Sequence, residues 1–277
     1  MKTNNFLLQD QISKSIEFLE KENFVDAIKL INILKKNKKT KNIGLFLNGI
    51  FHIKQKERNE AKKYFNKILD TEINHLEANL NLGLIFYDEK KYDRAEFYFN
   101  KVININYNQL DAHYHKALIF FDTKKYEKSI ECLNKCKEIN SRFHNIYLVY
   151  GHIYREKKEF KKAIDNYIKF LEKNPNDNIS RFNLSWCYFA TSDLENAFKF
   201  YEFRKEKTIP KTKTKEVKNK FNPSEWTGEN INNKKILIIS EQGIGDTIQF
   251  FRYLYCIKEY YDSEIIFYTE KNLKYLF

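Results

Sequence analysis

Between Asn145 and Asn178 the large apolar residues recur three or four apart in two short runs. Tyr147, Tyr150 and Tyr154, with the small Gly151 among them, form one stripe. Phe160, Tyr167 and Phe170, with Ala163, form another. This spacing predicts two amphipathic helices. The polar turn Glu156-Lys157-Lys158-Glu159 joins them, and Pro175 stops the second. A hairpin of this size cannot bury both stripes alone, so it requires neighbours stacked on either side.

The chain supplies those neighbours at a 34-residue spacing without insertion. Gly151 aligns with Gly49, Gly83, Ala117 and Ser185, and Ala163 with Ala27, Ala61, Ala95, Ser129 and Ala197. Tyr154 aligns with Phe18, His52, Phe86, Phe120 and Tyr188. Six units start near Leu8, Asn42, Leu76, Leu110, His144 and Asn178. The signature Leu82-Gly83-x-x-Phe86 followed by Tyr92-x-x-Ala95 resembles the tetratricopeptide repeat (TPR). The expected fold is therefore an all-α superhelical solenoid of about six helix pairs over 8–204, behind a short lead at 1–7. In the first unit Lys14-Ser15 replaces the Leu-Gly pair, as suits a terminal repeat with one face toward water.

After Pro223 the period changes. Lys235 to Ser240 is a short isoleucine-rich run that reads as a buried strand. Glu241 to Asp246 is a glycine-bearing turn, and Thr247 to Tyr261 has helical spacing. Glu264 to Thr269 reads as a second strand, and Glu270 to Phe277 as the start of another helix. Strand, turn, helix, strand opens a parallel, Rossmann-like α/β domain, here incomplete at 234–277. Two strands and one crossover helix cannot cover both sheet faces, so Ile238, Ile239, Ile265 and Phe267 should stay partly exposed. The segment is expected either to belong to a longer protein or to pack on the repeats or a partner.

The stretch Glu225-Trp226-Thr227-Gly228, the strand and EQGIGDTIQFFRYL together resemble the start of the catalytic region in bacterial proteins that join TPR arrays to a GT-B glycosyltransferase. The GIGD turn is also similar to the first strand-to-helix loop of heptosyltransferases. That resemblance implies Asp246 as general base on an acceptor hydroxyl, with Gly243, Gly245 and Thr247 at the donor phosphates. A purely structural reading stands beside it: Asp246 and Gln249 have capping-box spacing, and glycines suit a turn needing positive φ. The second GT-B domain, which binds most of the nucleotide sugar, has no counterpart in the chain. No cofactor is therefore expected here, and a sugar donor only in a complete relative.

In TPR arrays the first helix of each pair lines a concave groove. By that register the groove positions are Phe46, Ile50, Leu80, Leu84, Tyr87, Tyr114, Leu118, Phe121, Leu148, His152, Arg155, Phe182, Trp186 and Phe189. Most are apolar or aromatic, which suits an extended peptide or a partner helix. Several also suit packing between helices. Asn81 and Asn183 occupy positions that hold a peptide-binding asparagine ladder in O-linked N-acetylglucosamine transferases, but Leu47, His115 and Val149 interrupt it. The leading expectation is a protein-binding module attached to an incomplete glycosyltransferase-like domain. The alternative is a non-enzymatic interaction scaffold.

Composition narrows the rest. Of 277 residues, 31% are charged and 16% aromatic, which fits a folded protein. The net charge is +12, half of it in Arg204 to Lys220 with eight basic and two acidic residues. That basic linker, 205–233, has no aromatic residue before Phe221, and no base-reading motif accompanies it, so nucleic acid is not the expected partner. Cys132, Cys136, Cys187 and Cys256 form no CxxC pair. Cys132 and Cys136 lie one turn apart, but Cys136 takes the packing position of Phe170, while His113 and His115 point to different faces. No metal is expected. The N-terminus lacks a signal-peptide core and no apolar run reaches membrane-spanning length, so a cytoplasmic protein is expected.

Overall fold

The computed structural model describes residues 2–204, 224, 226–240 and 244–269. They fall into two compact units, 1–157 and 158–277. The first holds α1 (Lys2–Glu20), α2 (Phe24–Lys36), α3 (Lys41–Lys54), α4 (Arg58–Leu69), α5 (Leu76–Asp88), α6 (Tyr92–Ile105), α7 (Leu110–Asp122), α8 (Tyr126–Ile139) and α9 (Asn145–Glu156). Each helix packs on the next, first within a pair and then between pairs. The second helices of the pairs start at Phe24, Arg58, Tyr92 and Tyr126, one 34-residue period apart. The expected lead is not separate, because α1 runs back through it to Lys2.

Small residues on the first helices set the packing within each pair. A Cβ added to Gly49 would lie 2.5 Å from the Phe65 ring, and one on Gly83 would lie 2.7 Å from Phe99. Neither approach leaves room for a methyl group. The same two positions hold Ser15 with Ile31 and Ala117 with Leu133, all fully buried. Where the second helix offers a phenylalanine ring the first carries glycine. Where it offers a smaller side chain the first carries alanine or serine. Ser129 stands where other repeats have alanine, and its hydroxyl donates to the Ala117 carbonyl at 2.7 Å. That bond satisfies a hydroxyl in a fully buried position.

The turns between paired helices share one device. Glu22, Lys56, Lys90 and Lys124 each have a left-handed backbone, with φ between 57° and 63°. At Lys90 the amide donates to the Tyr87 carbonyl at 2.8 Å, and the Lys91 amide reaches Phe86 at 2.9 Å. The same pair of bonds recurs at Lys56 and Glu57 and at Lys124 and Lys125. This is the Schellman closure, which satisfies the last free carbonyls of the first helix. Glycine usually fills that site; lysine there costs about 1 kcal/mol.

The second unit holds α10 (Phe160–Lys173), α11 (Asn178–Ala190), α12 (Leu194–Tyr201) and a 3-10 turn, Glu202–Arg204. Lys158 and Ser192 continue the left-handed turn series, at φ 61° each. Further on come β1 (Lys235–Ile239), α13 (Ile244–Tyr260) and β2 (Glu264–Tyr268). The strands pair in parallel from Lys235 opposite Glu264 to Ile239 opposite Tyr268. Phe251 of α13 packs on Phe267 of β2, with ring centroids 5.4 Å apart. Ile238, Ile239, Ile265 and Phe267 are only half-buried, as two strands and one helix require. α13 starts at Ile244, three residues before its expected start. Gly245 and Asp246 therefore sit inside its first turn, and Asp246 is not the cap residue. The lysine-rich stretch 205–223, Glu225, Glu241 to Gly243 and the expected helix at 270–277 lie outside the described residues.

The glycine and ring pairing gives a direct test. Gly83→Ala is expected to destabilise the chain, because overpacking costs roughly 1–3 kcal/mol and outweighs the roughly 1 kcal/mol gained in helix propensity. In Phe99→Leu, which copies Leu133 opposite Ala117, the same alanine should be tolerated. Denaturant melts of the four species give the coupling. Additive effects would show that the ring does not set the size at residue 83.

Candidate peptide-binding face

The first helices of the pairs carry the predicted face. In the first unit Phe46, Ile50, Leu80, Leu84 and Tyr87 are half-buried, lying against a core that includes Phe65, Leu82 and Phe99. Tyr114, Leu118 and Phe121 are likewise half-buried over a core containing Leu133, Ile146 and Ile153. Leu148, His152 and Arg155 are also half-buried. Each position thus divides its side chain between packing and surface. Phe46 stacks on His75 at 6.0 Å, Tyr114 meets Phe143 edge-on at 5.0 Å, and Phe121 stacks on His152 at 5.9 Å. These contacts hold the rings in place and leave one edge or face exposed.

In the second unit Phe182 and Phe189 are half-buried and Trp186 is 51% exposed. They cluster with Tyr201, which lies 5.8 Å from Phe182 and 5.7 Å from Phe189. Phe198, 60% exposed, adds an edge contact to Phe189 at 5.2 Å. Neither Tyr201 nor Phe198 lies on a first helix, so the register that picks out the face does not include them.

The polar residues of the face are partly committed. The Asn81 side-chain amide donates to the Glu77 carbonyl at 2.8 Å. Its equivalent His115 bonds the Asp111 carbonyl through Nδ1 at 2.8 Å. Asn183 is buried. Asp88 and Asp122 end α5 and α7 at one rim of the face. Asp88 pairs with Arg58 at 2.9 Å, whereas Asp122 accepts from the hydroxyls of Tyr87 at 3.0 Å and Tyr92 at 3.2 Å. Burial, then the Asp122 charge, pushes the Tyr87 phenol well above its ordinary range, and Tyr92 shifts the same way. Both phenols are therefore protonated donors at neutral pH. Asp122 was missed in the sequence because neither its neighbours nor a motif singles it out.

Cys136 and His113 take structural places. Cys136 is fully buried, and burial pushes its thiol up to about 12. His113 is buried, and its Nε2–H donates to the Tyr107 carbonyl at 2.8 Å. One repeat earlier the side chain of Asn79 donates in the same way to the Ile73 carbonyl at 3.0 Å. Both bonds tie the loop between repeats to the following helix. Of the candidate phosphate loop, Thr247 is buried at 9% exposure. Gly243 lies outside the described residues, as do the side chains of 244–246, including Asp246.

Stacked antiparallel helix pairs of constant period define a helical-hairpin repeat protein. A model for anaphase-promoting complex, cyclosome, subunit 3 matches residues 54–136 and again 88–170, displaced by one 34-residue period at both ends. A tetratricopeptide repeat model matches 151–202. The chain is a tetratricopeptide-repeat protein over these residues. Among solved structures it is similar to PilF of Pseudomonas aeruginosa, with TM-score 0.64 and 14% identity over 79% of this chain and 94% of that one. A tetratricopeptide repeat protein from Parabacteroides merdae gives TM-score 0.60 and 16% identity over 73% of this chain and 80% of that one. MamA from Desulfovibrio magneticus gives 0.53 and 19%, over 66% and 98%. At such identities the likeness is one of fold. No curated protein matches the chain. Among the described residues no helix is long and apolar enough to cross a membrane.

His113 makes a pH-dependent prediction. Burial holds its pKa below the usual value, with nearby Lys116 and Lys135 adding to the shift. The fold therefore favours the neutral ring. Its contribution is complete above about pH 6.5 and is lost as pH falls from there through the lower folded pKa. His113→Asn, copying Asn79, should keep the loop bond and flatten stability between about pH 7 and pH 5. An unchanged slope in thermal melts would remove His113 as the titrating group.

Proposed function

We propose that the first-helix face of residues 1–157 binds an extended apolar segment of another protein. One observation carries this reading: apolar side chains recur at one-repeat spacing along that face, each half-buried and held by a packed neighbour. Such a row offers pockets to alternate residues of a peptide, or ridges to a helix. Proteins of this fold generally bind proteins, and the spacing of Leu80, Leu84, Tyr114 and Leu118 fits that use. The test is selection of displayed random peptides on the full chain. Apolar sequences should be enriched, and Leu84→Glu with Leu118→Glu should weaken them at least tenfold while the melting curve is retained. Tyr114→Ala is the milder second variant. Selection unaffected by either change would exclude this face.

A second reading concerns residues 234–277. The parallel pairing of β1 and β2 through α13 is the observation that favours it. On this reading the segment is the opening of a GT-B glycosyltransferase-like domain. Gly243, Gly245 and Thr247 would lie at the donor diphosphate, and Asp246 would accept the acceptor's hydroxyl proton. The donor comes from the nucleotide-sugar class and is held mainly by a second domain. Calorimetric titration of an ADP-sugar and a UDP-sugar into the chain should give weak heat that Asp246→Asn does not abolish, since a base contributes little to donor binding. No heat from either sugar would leave the interaction-scaffold reading alone.

A further inference from the structure

At one end of the proposed face lies an acid that has no basic partner among the described residues. Asp122 is exposed, and among the described residues its contacts are the two phenol donors of Tyr87 and Tyr92. The two rings lie 6.0 Å apart and tilted by 48°. A carboxylate beside two tyrosine rings has the chemistry of a guanidinium seat: charge and hydrogen bonds from the acid, stacking surface from the rings.

The preceding repeat shows that a guanidinium fits these positions. Arg58 begins α4 as Tyr92 begins α6, and Asp88 ends α5 as Asp122 ends α7. Arg58 places its Nη2 2.9 Å from Asp88 Oδ2. One repeat further on, Glu156 is 2.9 Å from Arg155. Of the three equivalent acids, two have a cation supplied by the chain. At Asp122 the residue in Arg58's place is tyrosine, so the negative charge is left for something else, in a chain whose net charge is +12.

We propose that Asp122, Tyr87 and Tyr92 form a seat for an arginine side chain of the bound peptide, next to the apolar positions Leu84 and Leu118. The partner is thus an apolar segment carrying one basic residue, and the seat fixes where along the face that residue falls. This rests on the peptide-binding reading of the same face.

The test uses the peptides selected on the full chain. They should share an arginine at a fixed distance from an apolar pair. Replacing that arginine by citrulline, which keeps the shape and removes the charge, should weaken binding about tenfold or more. In Asp122→Asn the two peptides should bind alike. Tyr92→Arg, which copies the Arg58–Asp88 pair and so is compatible with the fold, should also remove the preference. Equal binding of both peptides to the unaltered chain, or an arginine preference that survives in Asp122→Asn, would overturn the seat and leave the apolar face standing. No selected peptide at all would overturn both.

Discussion

Two helix backbones can come as close as those at Gly83 and Phe99 only if one of them surrenders its side chain at the crossing. That steric condition underlies the rest of the first unit. With the ring seated on bare backbone, Phe65 and Phe99 are wholly removed from water. Each such ring contributes about 1.5–3 kcal/mol relative to exposure. The close crossing also fixes how far the first helix rotates, and so which of its residues face outward. Phe46, Leu80 and Tyr114 lie one turn before that glycine or alanine, on the flank of the inward line, and so are half-buried.

Most of this architecture could be read from the chain before any coordinates. The constant period, the small and aromatic alternation and the polar turns put unit starts near Leu76, Leu110 and Asn178, where helices begin, and within one residue at Asn42 and His144, whereas α1 begins at Lys2, well before Leu8. The signal was strong because it was repeated, and repetition averages out the ambiguity of a single short helix. Features present once were harder. The left-handed turns carry lysine, and nothing about an isolated Lys90 predicts positive φ; only its alignment with Lys56 and Lys124 does. Glycines near a helix start read as a turn, so the pattern points to Thr247 as the start of α13, whereas the helical backbone already includes Gly245.

The site shows the same division. Alignment of the repeats located the half-buried face, because burial follows period. It could not locate the Asp122 cluster, because that depends on a departure from the repeat: tyrosine at 92 where arginine stands at 58. Chemistry specific to one repeat lies where equivalent positions differ, whereas the shared positions describe the scaffold. The exposed aromatics at Phe198 and Trp186 in the second unit follow the same logic.

The ring and its glycine always belong to one hairpin: Gly49 with Phe65, Gly83 with Phe99. Among the described residues no glycine and ring pair straddles the loop that leads to the next hairpin; the close glycine there, Gly44, meets backbone at Lys35 instead. A recombination event that cuts in those loops therefore carries a lock and its key together. Doubling or dropping one whole period leaves every ring facing its own gap and every turn closed by the same two bonds. The length of the array is thereby free to vary through inheritance while the fit inside each segment is preserved.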